Sequence, residues 1–289
     1  MKIRKAVITA AGLGTRLLPL TKEIPKEMAP LFAPGTGGIT VKPTIHIIFE
    51  TLYQAGIRNF SIIVGRGKRV LEDYFTPDNL YMELLRMKGS IERGSELEKF
   101  YKMILDSKIF FINQPYPRGF GDAVLQAEAF VSNEPFILHA GDDIVLSKHQ
   151  DHIVRLIDVF NRYDADAVLL LEEIDDPRSY GVVKGAEIEP LILRVEDIVE
   201  KPTHPPSNLA VVAVYVFKPS IFDYLKQVKP NKHGEIGLTE AIKLMILDNK
   251  DVYAVKLRDD EVRLDVGTPE RYWNALVKSY EWATKYGKA

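Results

Sequence analysis

The chain has 289 residues, of which 46% are hydrophobic and 27% are charged, and its formal net charge is -2 at pH 7. This ordinary globular composition excludes a general electrostatic attraction to nucleic acid or to an anionic membrane. The chain has no cysteine, which excludes disulfides, thiolate metal sites and a cysteine nucleophile. Because no apolar run approaches the length of a membrane span, we expect a cytoplasmic protein without nucleic-acid or membrane partners.

Short apolar runs in the first part of the chain predict β-strands. They are rich in β-branched residues, and Gly, Asn, Asp or Pro lies at or near most of their ends. Their nearly continuous apolarity is typical of strands covered on both faces, which indicates a mainly parallel sheet. The runs are residues 5–11, 60–65, 109–113, 136–141 and 167–172.

Helical patterns alternate with these strands. Pro43 begins a predicted helix that Gly56 ends, and two further helices are expected over residues 122–131 and 149–163. The alternation of strand and helix predicts an α/β fold with a Rossmann-like, mixed and mainly parallel sheet and flanking helices.

Residues 74–108 are highly charged and interrupt this alternation. We expect two helices here, split near residues 89–94, that pack on the domain or contact another subunit. The spacing i, i+3, i+4 of an amphipathic helix is kept by Leu97, Phe100, Tyr101, Ile104 and Leu105.

After residue 175 the predicted strands become shorter, and the chain reads as a second, β-rich half. The strands are expected at residues 181–185, 192–201, 211–217 and 251–257, and helices at about 219–228 and 236–248. A last amphipathic helix is expected from Pro269 to about Lys285, with Thr268 as its N-cap. We therefore expect one domain over residues 1–289, made of the halves 1–175 and 176–289.

The stretch AGLGTRLLPLTKEIPKEM, residues 11–28, follows the first predicted strand. It does not fit the P-loop, because neither Gly12 nor Gly14 leads to the GK pair of GxxxxGK[ST]. It does not fit the dinucleotide fingerprint GxGxxG either, because Leu17 occupies the third glycine position.

A glycine turn followed by two basic residues remains. Its consecutive N–H groups can form an anion-binding nest, and Arg16 and Lys26 supply positive charge. These residues alone leave two possibilities equally open: a phosphate site, and a surface turn with two unrelated basic residues.

Residues 11–28 resemble the signature GxGTRxxPxTxxxPKxM of the sugar-phosphate nucleotidyltransferases, and more closely its form in the prokaryotic uridylyltransferases. Further similar motifs follow in order over almost the whole chain. They are QPYPRGFGDAV (114–124), GDD (141–143), YGVV (180–183), VEKP (199–202), SNLAVVAVYVF (207–217), EIGLTEAI (235–242) and LDVGTPERY (264–272).

The resemblance implies that a phosphate oxygen of glucose 1-phosphate attacks the α-phosphorus of UTP, with Mg²⁺ as cofactor, giving UDP-glucose and pyrophosphate. The alternatives are a thymidylyltransferase making dTDP-glucose and a regulator that binds sugar nucleotides without turnover. The charged insertion at 74–108 and the sequence GFGDAV after Gln114 look more like the uridylyl form. Residues 1–175 would then be the nucleotide-binding half and residues 176–289 the sugar-binding half with the C-terminal helix.

The resemblance assigns roles at the nucleotide end. Arg16 and Lys26 would hold the triphosphate and the charge that develops at the α-phosphate. Gln114 would read the pyrimidine edge through its amide. The backbone that approaches the nucleotide would be that of Ala10, Ala11, Gly12, Gly14 and Gly119.

The resemblance also assigns the metal and the sugar. Asp142 and Asp265 would share the Mg²⁺, with Asp143 secondary. Glu200 would accept hydrogen bonds from sugar hydroxyls, Lys201 would pair with the sugar phosphate, and Gly181 would let the sugar lie against backbone. Taken alone, these segments also fit plain turns, caps and a solvated lysine.

Some features fall outside the family pattern. A glycine-rich loop at residues 33–42 either covers the triphosphate or, as we expect, is a mobile surface tip. Gly237 stands where uridylyltransferases commonly have glutamine. We expect exposed histidines at 149 and 152, and we expect Trp273 with Tyr272 to pack the last helix. The charged insertion and that helix suggest a homo-oligomer, a dimer or a tetramer.

Overall fold

The computed structural model describes residues 2–89 and 91–287. Its strands are β1 Lys5–Ala10, β2 Pro30–Gly35, β3 Gly38–Pro43, β4 Asn59–Val64, β5 Lys108–Asn113, β6 Phe136–Ala140, β7 Asp143–Leu146, β8 Ala167–Glu173, β9 Gly181–Glu189, β10 Ile192–Glu200, β11 Leu209–Phe217, β12 Val252–Lys256 and β13 Val262–Asp265. Its α-helices are α1 Thr44–Gln54, α2 Arg69–Tyr74, α3 Asn79–Met87, α4 Ile91–Leu105, α5 Phe120–Leu125, α6 Glu128–Val131, α7 Asp151–Arg162, α8 Ile221–Gln227, α9 Leu238–Leu247 and α10 Pro269–Tyr286.

In the part of the chain that the structure describes, strands of both halves form one nine-stranded sheet in the order β5-β4-β1-β6-β11-β8-β12-β10-β9. The run β5-β4-β1-β6 is parallel, and β8 pairs with β12 in parallel. Antiparallel β11 lies between β6 and β8, and β10 lies antiparallel between β12 and β9. The prediction of a mixed sheet, with most strands in one direction and helices around it, is confirmed.

Helices cover both faces of this sheet, which explains the nearly continuous apolar runs. Successive side chains of a strand point to opposite faces, so Ile8 of β1 lies in one core and Val7 in the other. The first core holds Phe49 of α1 and Leu156 of α7, and the second holds Phe222 of α8.

Several helices begin or end away from their predicted bounds. The segment predicted as one helix at 122–131 forms two, α5 and α6, and α7 begins at Asp151. His149 and Gln150 cannot continue a helix there, because their φ angles are 53° and 56°. Thr268 caps α10 as predicted, accepting a hydrogen bond from the Arg271 N–H.

The charged insertion contains the predicted helix pair, α3 and α4. Phe100 of α4 is fully buried and its ring stacks on His46, with centroids 4.0 Å apart, so the insertion packs on the domain. Leu105, which we placed on the packed face, is 76% exposed.

The glycine-rich loop is a regular hairpin whose turn, at Thr36 and Gly37, is exposed as expected. Residues 30–43 form an antiparallel hairpin of β2 and β3. Its turn is tied to α4, because the Thr36 N–H donates to Glu96 Oε1 at 2.8 Å, and its Lys42 is buried and pairs with Glu50 at 2.7 Å. No part of residues 32–42 lines the cleft described below.

Two expectations for aromatic and imidazole side chains are wrong. His152 is buried, its Nδ1 hydrogen-bonded to the Ser147 hydroxyl at 2.6 Å, whereas His149 is exposed as expected. Trp273 is 68% exposed because it lies on the outer face of α10, and it is Tyr272 that contacts the domain, donating to the Pro30 carbonyl. In the described residues, no helix has the length and apolarity needed to cross a bilayer.

Candidate active site

A cleft of about 630 Å³ opens at the carboxyl edge of the parallel strands. The loop after β1 and the loop after β6 are neighbours there, because the two strands pair in parallel and the Gly141 N–H donates to the Thr9 carbonyl at 2.9 Å. Ligands of open α/β sheets bind at this edge. The cleft is therefore where the sequence motifs are expected to meet.

The glycine turn after β1 forms one wall of the cleft. Gly14 has a φ of 67°, and the Thr21 hydroxyl donates to its carbonyl at 2.7 Å. A Cβ on Gly12 would lie 3.6 Å from the Nζ of Lys26, so the lysine passes directly over this glycine. Ala11, Gly12 and Gly14 line the cleft, whereas Ala10 does not, because it is buried in the sheet opposite Val64.

Lys26 and Asp142 form an ion pair inside the cleft. Burial alone would raise the pKa of Asp142, but the charge and hydrogen bond of Lys26, together with Arg16, bring it below its usual value. Burial likewise works to lower the pKa of Lys26, and Asp142 and Glu27 outweigh it, so the pKa is raised. Both groups are charged at neutral pH.

Arg16 lies close to this pair. Its charge lowers the pKa of both Lys26 and Asp142, and its Nη2 is 3.3 Å from where a Cβ on Gly267 would be. The turns between residues 15 and 28 thus bring the predicted lysine back towards the predicted arginine.

Asp143, beside the predicted metal ligand, is fully occupied by an arginine. Arg263 donates from Nε to Oδ1 at 2.8 Å and from Nη2 to Oδ2 at 2.5 Å, and both side chains are buried. Burial would lower the pKa of Arg263, but Asp143 and Glu172 raise it above its ordinary value. Burial raises the pKa of Asp143, although the charge and hydrogen bonds of Arg263 oppose it. The two-point pair holds β7 against β13.

Asp265 ends β13 and is fixed from several sides. Its Oδ1 accepts the Gly267 N–H at 2.6 Å, and its Oδ2 accepts Nη1 of Arg271 at 2.8 Å and the Tyr180 hydroxyl at 3.3 Å. Its backbone is next to that of the other predicted ligand, because the Val266 N–H donates to the Asp142 carbonyl at 3.2 Å.

The predicted sugar-binding residues lie together in the lining of the cleft. Gly181 and Glu200 are opposite each other in the β9–β10 ladder. Glu200 Oε1 pairs with Lys201 Nζ at 2.9 Å, and its Oε2 accepts the Thr239 hydroxyl at 2.7 Å. A Cβ on Gly181 would lie 3.4 Å from Glu200 Oε2, so the glycine leaves this carboxylate accessible.

Gln114 and Gly119 lie at the end of the cleft next to the glycine turn. The Nε2 of Gln114 donates to Asp122 Oδ2 at 2.7 Å and to the Gly119 carbonyl at 3.2 Å. Gly119 has a φ of 94°, and a Cβ there would meet the Ile236 carbonyl oxygen at 2.8 Å. Only glycine fits this turn.

The structure brings the predicted site residues into one cleft, with Ala10 as the exception. Sequence reasoning missed other charged and polar groups in the same wall. Tyr180, Thr239 and Arg271 lie inside motifs quoted above, where position in the motif was an available signal. The buried Glu27, which pairs with Lys68 at 2.7 Å, also lies inside a quoted motif, between Lys26 and Met28. Arg263 lies just outside the quoted motifs and gave no such signal.

The fold and the cleft define an α/β protein in which a glycine turn with two cationic side chains faces the same cleft as a second group of polar residues. The model of the family described as "Nucleotidyl transferase" matches residues 5–281, and the chain belongs to this family. The resemblance predicted from the motifs is confirmed.

More particular similarities extend over nearly the full length. The chain is 38% identical to a UTP–glucose-1-phosphate uridylyltransferase of Streptococcus pneumoniae, over 99% of this chain and 92% of the relative. A solved apo structure of UDP-glucose pyrophosphorylase is 32% identical, with a TM-score of 0.87 over 97% of this chain and 99% of the other. A UDP-glucose pyrophosphorylase complexed with UDP-glucose is also 32% identical, with a TM-score of 0.83 over 97% and 100% of the two chains.

Proposed function

We propose that this chain is a UTP–glucose-1-phosphate uridylyltransferase, which converts UTP and glucose 1-phosphate into UDP-glucose and pyrophosphate. One observation carries the proposal: a single cleft joins a base-reading amide, a set of phosphate-binding cations and a sugar-binding carboxylate. These are Gln114, then Arg16 and Lys26, then Glu200 with Lys201, all of which line the cleft. The relatives described above carry this activity in their names.

The reaction needs no protein nucleophile. A phosphate oxygen of glucose 1-phosphate attacks the α-phosphorus of UTP, the bond from that phosphorus to the bridging oxygen breaks, and pyrophosphate leaves with the electron pair. Catalysis of such a transfer consists of positioning and of neutralising charge on phosphate oxygens. Arg16 and Lys26 are charged groups placed for the second task, and Lys201 orients the attacking phosphate.

Asp142 and Asp265 fit a magnesium ion. Mg²⁺ binds through one or two carboxylates together with substrate phosphates and water, and these two carboxylates rise from adjacent backbone. Asp143 does not fit, because Arg263 occupies both its oxygens. Across residues 2–89 and 91–287, no group of three or more His, Cys, Asp and Glu side chains is arranged for a metal, so the phosphates must complete the coordination. Bound there, Mg²⁺ would neutralise phosphate charge.

Gln114 supports recognition of a pyrimidine. Asp122 and the Gly119 carbonyl are acceptors, so they fix the NH₂ side of the amide. The amide oxygen is then directed to accept the N3–H that uracil and thymine share. The thymidylyltransferase alternative differs by one methyl group, worth about 1–3 kcal/mol in a pocket, so we expect dTTP to be accepted more weakly than UTP.

The activity is tested by measuring pyrophosphate release over a matrix of nucleoside triphosphates and sugar 1-phosphates, with and without Mg²⁺. We expect turnover with UTP and glucose 1-phosphate that depends on Mg²⁺. If no pair of substrates releases pyrophosphate, the enzyme proposal is wrong and the alternative of a non-catalytic regulator is favoured. A strong preference for dTTP would overturn the choice of nucleotide.

The site is tested by Asp142→Asn, with Asp151→Asn as the matched control, because Asp151 pairs with Arg258 at 3.2 Å outside the cleft. We expect the first variant to fold and to lose turnover, and the second to keep both. Near-normal activity of Asp142→Asn would remove this residue from the site.

We also propose that the chain forms a homo-oligomer. Trp273, Val277 and Tyr280 lie on one face of α10 and are each more than a third exposed. Burying such a face against a second copy is favourable. Light scattering after gel filtration should give a multiple of 32.7 kDa, and Trp273→Glu should lower the mass; a wild-type monomer would contradict the proposal.

A further inference from the structure

Each of the two carboxylates proposed to bind the metal already holds a cationic side chain. Asp142 pairs with Lys26, and Asp265 Oδ2 accepts Nη1 of Arg271 at 2.8 Å. Lys26 has a place in the triphosphate site. Arg271 has no role in the mechanism above, although it lines the cleft and its side chain is 30% exposed.

The position of Arg271 is set by rigid elements. It lies in the first turn of α10, where its N–H donates to the capping Thr268 hydroxyl at 3.3 Å. Its guanidinium lies over the ring of Tyr180, 4.8 Å from the centroid, and Arg263 lies 4.5 Å from the centroid of the same ring. Guanidinium groups stack on aromatic rings and also bind phosphate through two donors.

Tyr180 joins Arg271 to the sugar end of the cleft. It directly precedes Gly181, and its carbonyl accepts the Lys201 N–H at 2.9 Å. A guanidinium stacked on Tyr180 is therefore near the place proposed for the phosphate of the sugar 1-phosphate, on the same wall as Lys201.

Asp265 Oδ2 already accepts two hydrogen bonds, from Arg271 and from the Tyr180 hydroxyl, so a divalent cation that binds this oxygen must displace one of them. Oδ1 stays fixed by the Gly267 N–H at 2.6 Å, so the carboxylate itself does not need to turn away when the arginine leaves. The guanidinium can then move along the ring of Tyr180 while the cap of α10 keeps the Arg271 backbone in place.

We propose that Arg271 binds the phosphate of the sugar 1-phosphate, and that it stays paired with Asp265 until a divalent cation displaces it. This inference rests on the proposed function. It makes cation binding and sugar-phosphate binding cooperative, because the cation frees the guanidinium that the sugar phosphate needs.

The test compares wild type with Arg271→Ala and Arg271→Lys, using Mn²⁺ as the probe. Binding of Mn²⁺ to the substrate-free protein is measured by electron paramagnetic resonance, and KM values by pyrophosphate release. Arg271→Ala should bind Mn²⁺ several-fold more tightly, because Asp265 has lost its competing cation. The same variant should raise the KM for glucose 1-phosphate by roughly 10–100-fold, and that for UTP far less.

Arg271→Lys keeps a charge without the two-donor geometry, so it should lie between the other two proteins in both measurements. Arg258→Ala is the control, because Arg258 pairs with Asp151 at 3.2 Å outside the cleft, and neither quantity should change. Unchanged or weaker Mn²⁺ binding in Arg271→Ala would overturn the proposal, and so would a larger rise in the KM for UTP than for glucose 1-phosphate.

Asp265→Asn distinguishes a failure of this proposal from a failure of the proposed metal site. If Asp265→Asn abolishes Mn²⁺ binding and Arg271→Ala does not strengthen it, the metal site stands and the role of Arg271 is wrong. If Asp265→Asn binds Mn²⁺ as wild type does, both the metal assignment and the role of Arg271 are overturned, while turnover with UTP remains a separate measurement.

Discussion

Arg263 and Asp143 lie 120 residues apart in the chain and form a buried two-point ion pair in the wall of the cleft, with N–O distances of 2.8 and 2.5 Å. Asp143 lies opposite Asp265 in the β7–β13 ladder. The pair therefore fixes the backbone from which both proposed metal ligands rise, while its own charges satisfy each other.

Asp143→Asn should destabilise the protein by about 3–5 kcal/mol, because Arg263 is left buried with an incomplete counter-charge. The measurement is the free energy of urea unfolding. Asp151→Asn, which breaks a partly exposed pair with Arg258, should cost at most about 1 kcal/mol. Equal small losses in the two variants would show that the buried pair does not stabilise the ladder.

Lys26→Met should lower kcat by about 100–1000-fold, because a preorganised donor to the developing phosphate charge is lost. Steady-state pyrophosphate release gives kcat and the KM for UTP. Lys22→Met is the matched control in the same segment, since the Lys22 side chain is 77% exposed and lies outside the cleft wall. A comparable loss in both variants would point to damage to the segment and not to lost chemistry.

Gly119→Ala should destabilise the protein by about 1–3 kcal/mol, because φ is 94° and the new Cβ would meet the Ile236 carbonyl oxygen at 2.8 Å. Gly181→Ala has no such clash, and its nearest contacts, at 3.4 Å, are Glu200 and Thr239. We expect it to keep its unfolding free energy and to raise the KM for glucose 1-phosphate about tenfold. Thermal melts and substrate titrations of the two variants should therefore show opposite patterns; a stable Gly119→Ala would contradict the strain argument.

The buried His46 should make the free energy of unfolding depend on pH below neutrality. Burial, and then the charge of Lys42, lower its pKa from 6.5 to about 3 in the folded protein. Because the unfolded chain takes up the proton first, this contribution is complete above pH 6.5 and is lost as the pH falls from there towards about 3. The slope amounts to about 1.4 kcal/mol per pH unit.

The check is urea unfolding between pH 7.5 and pH 4.5. His46→Phe keeps a ring against Phe100 and removes one titrating group. It should therefore lower the slope of the unfolding free energy against pH by up to about 1.4 kcal/mol per pH unit. His204→Phe, at an exposed position, should leave the slope unchanged. Parallel pH curves for wild type and His46→Phe would contradict the assignment.

Local patterns carried most of the element predictions. The apolar runs around Ile8 and Leu138 became buried strands because both faces of the sheet are covered. The start of α7 was missed because His149 and Gln150 have positive φ angles although neither is a glycine. The sequence therefore gives no indication of a break in the helix there. The hairpin at 30–43 was missed because side-chain contacts outside it hold it in place. Lys42 pairs with Glu50 on α1, the next helix, and the Thr36 N–H donates to Glu96 on α4, 60 residues away.

The candidate site divides in the same way. Arg16, Lys26, Gln114 and Glu200 were found because each stands in a motif whose spacing is local. Arg263 was missed, since a buried arginine can be recognised only through the carboxylate it pairs with, and Asp143 is far away in the chain.

By itself, the sequence determined the family, the order of most strands and helices, and most of the residues that line the cleft. These follow from short-range regularities, namely the apolar period of each element and the spacing within each motif. The tertiary structure alone decided which strands are neighbours, that Lys26 lies on Asp142, and that Arg271 occupies Asp265. Lys26 and Asp142 are 116 residues apart, so their pairing depends on how the strands are arranged. Arg271 and Asp265 are six residues apart, but their pairing depends on the angle at which α10 follows β13. No local sequence pattern encodes either arrangement.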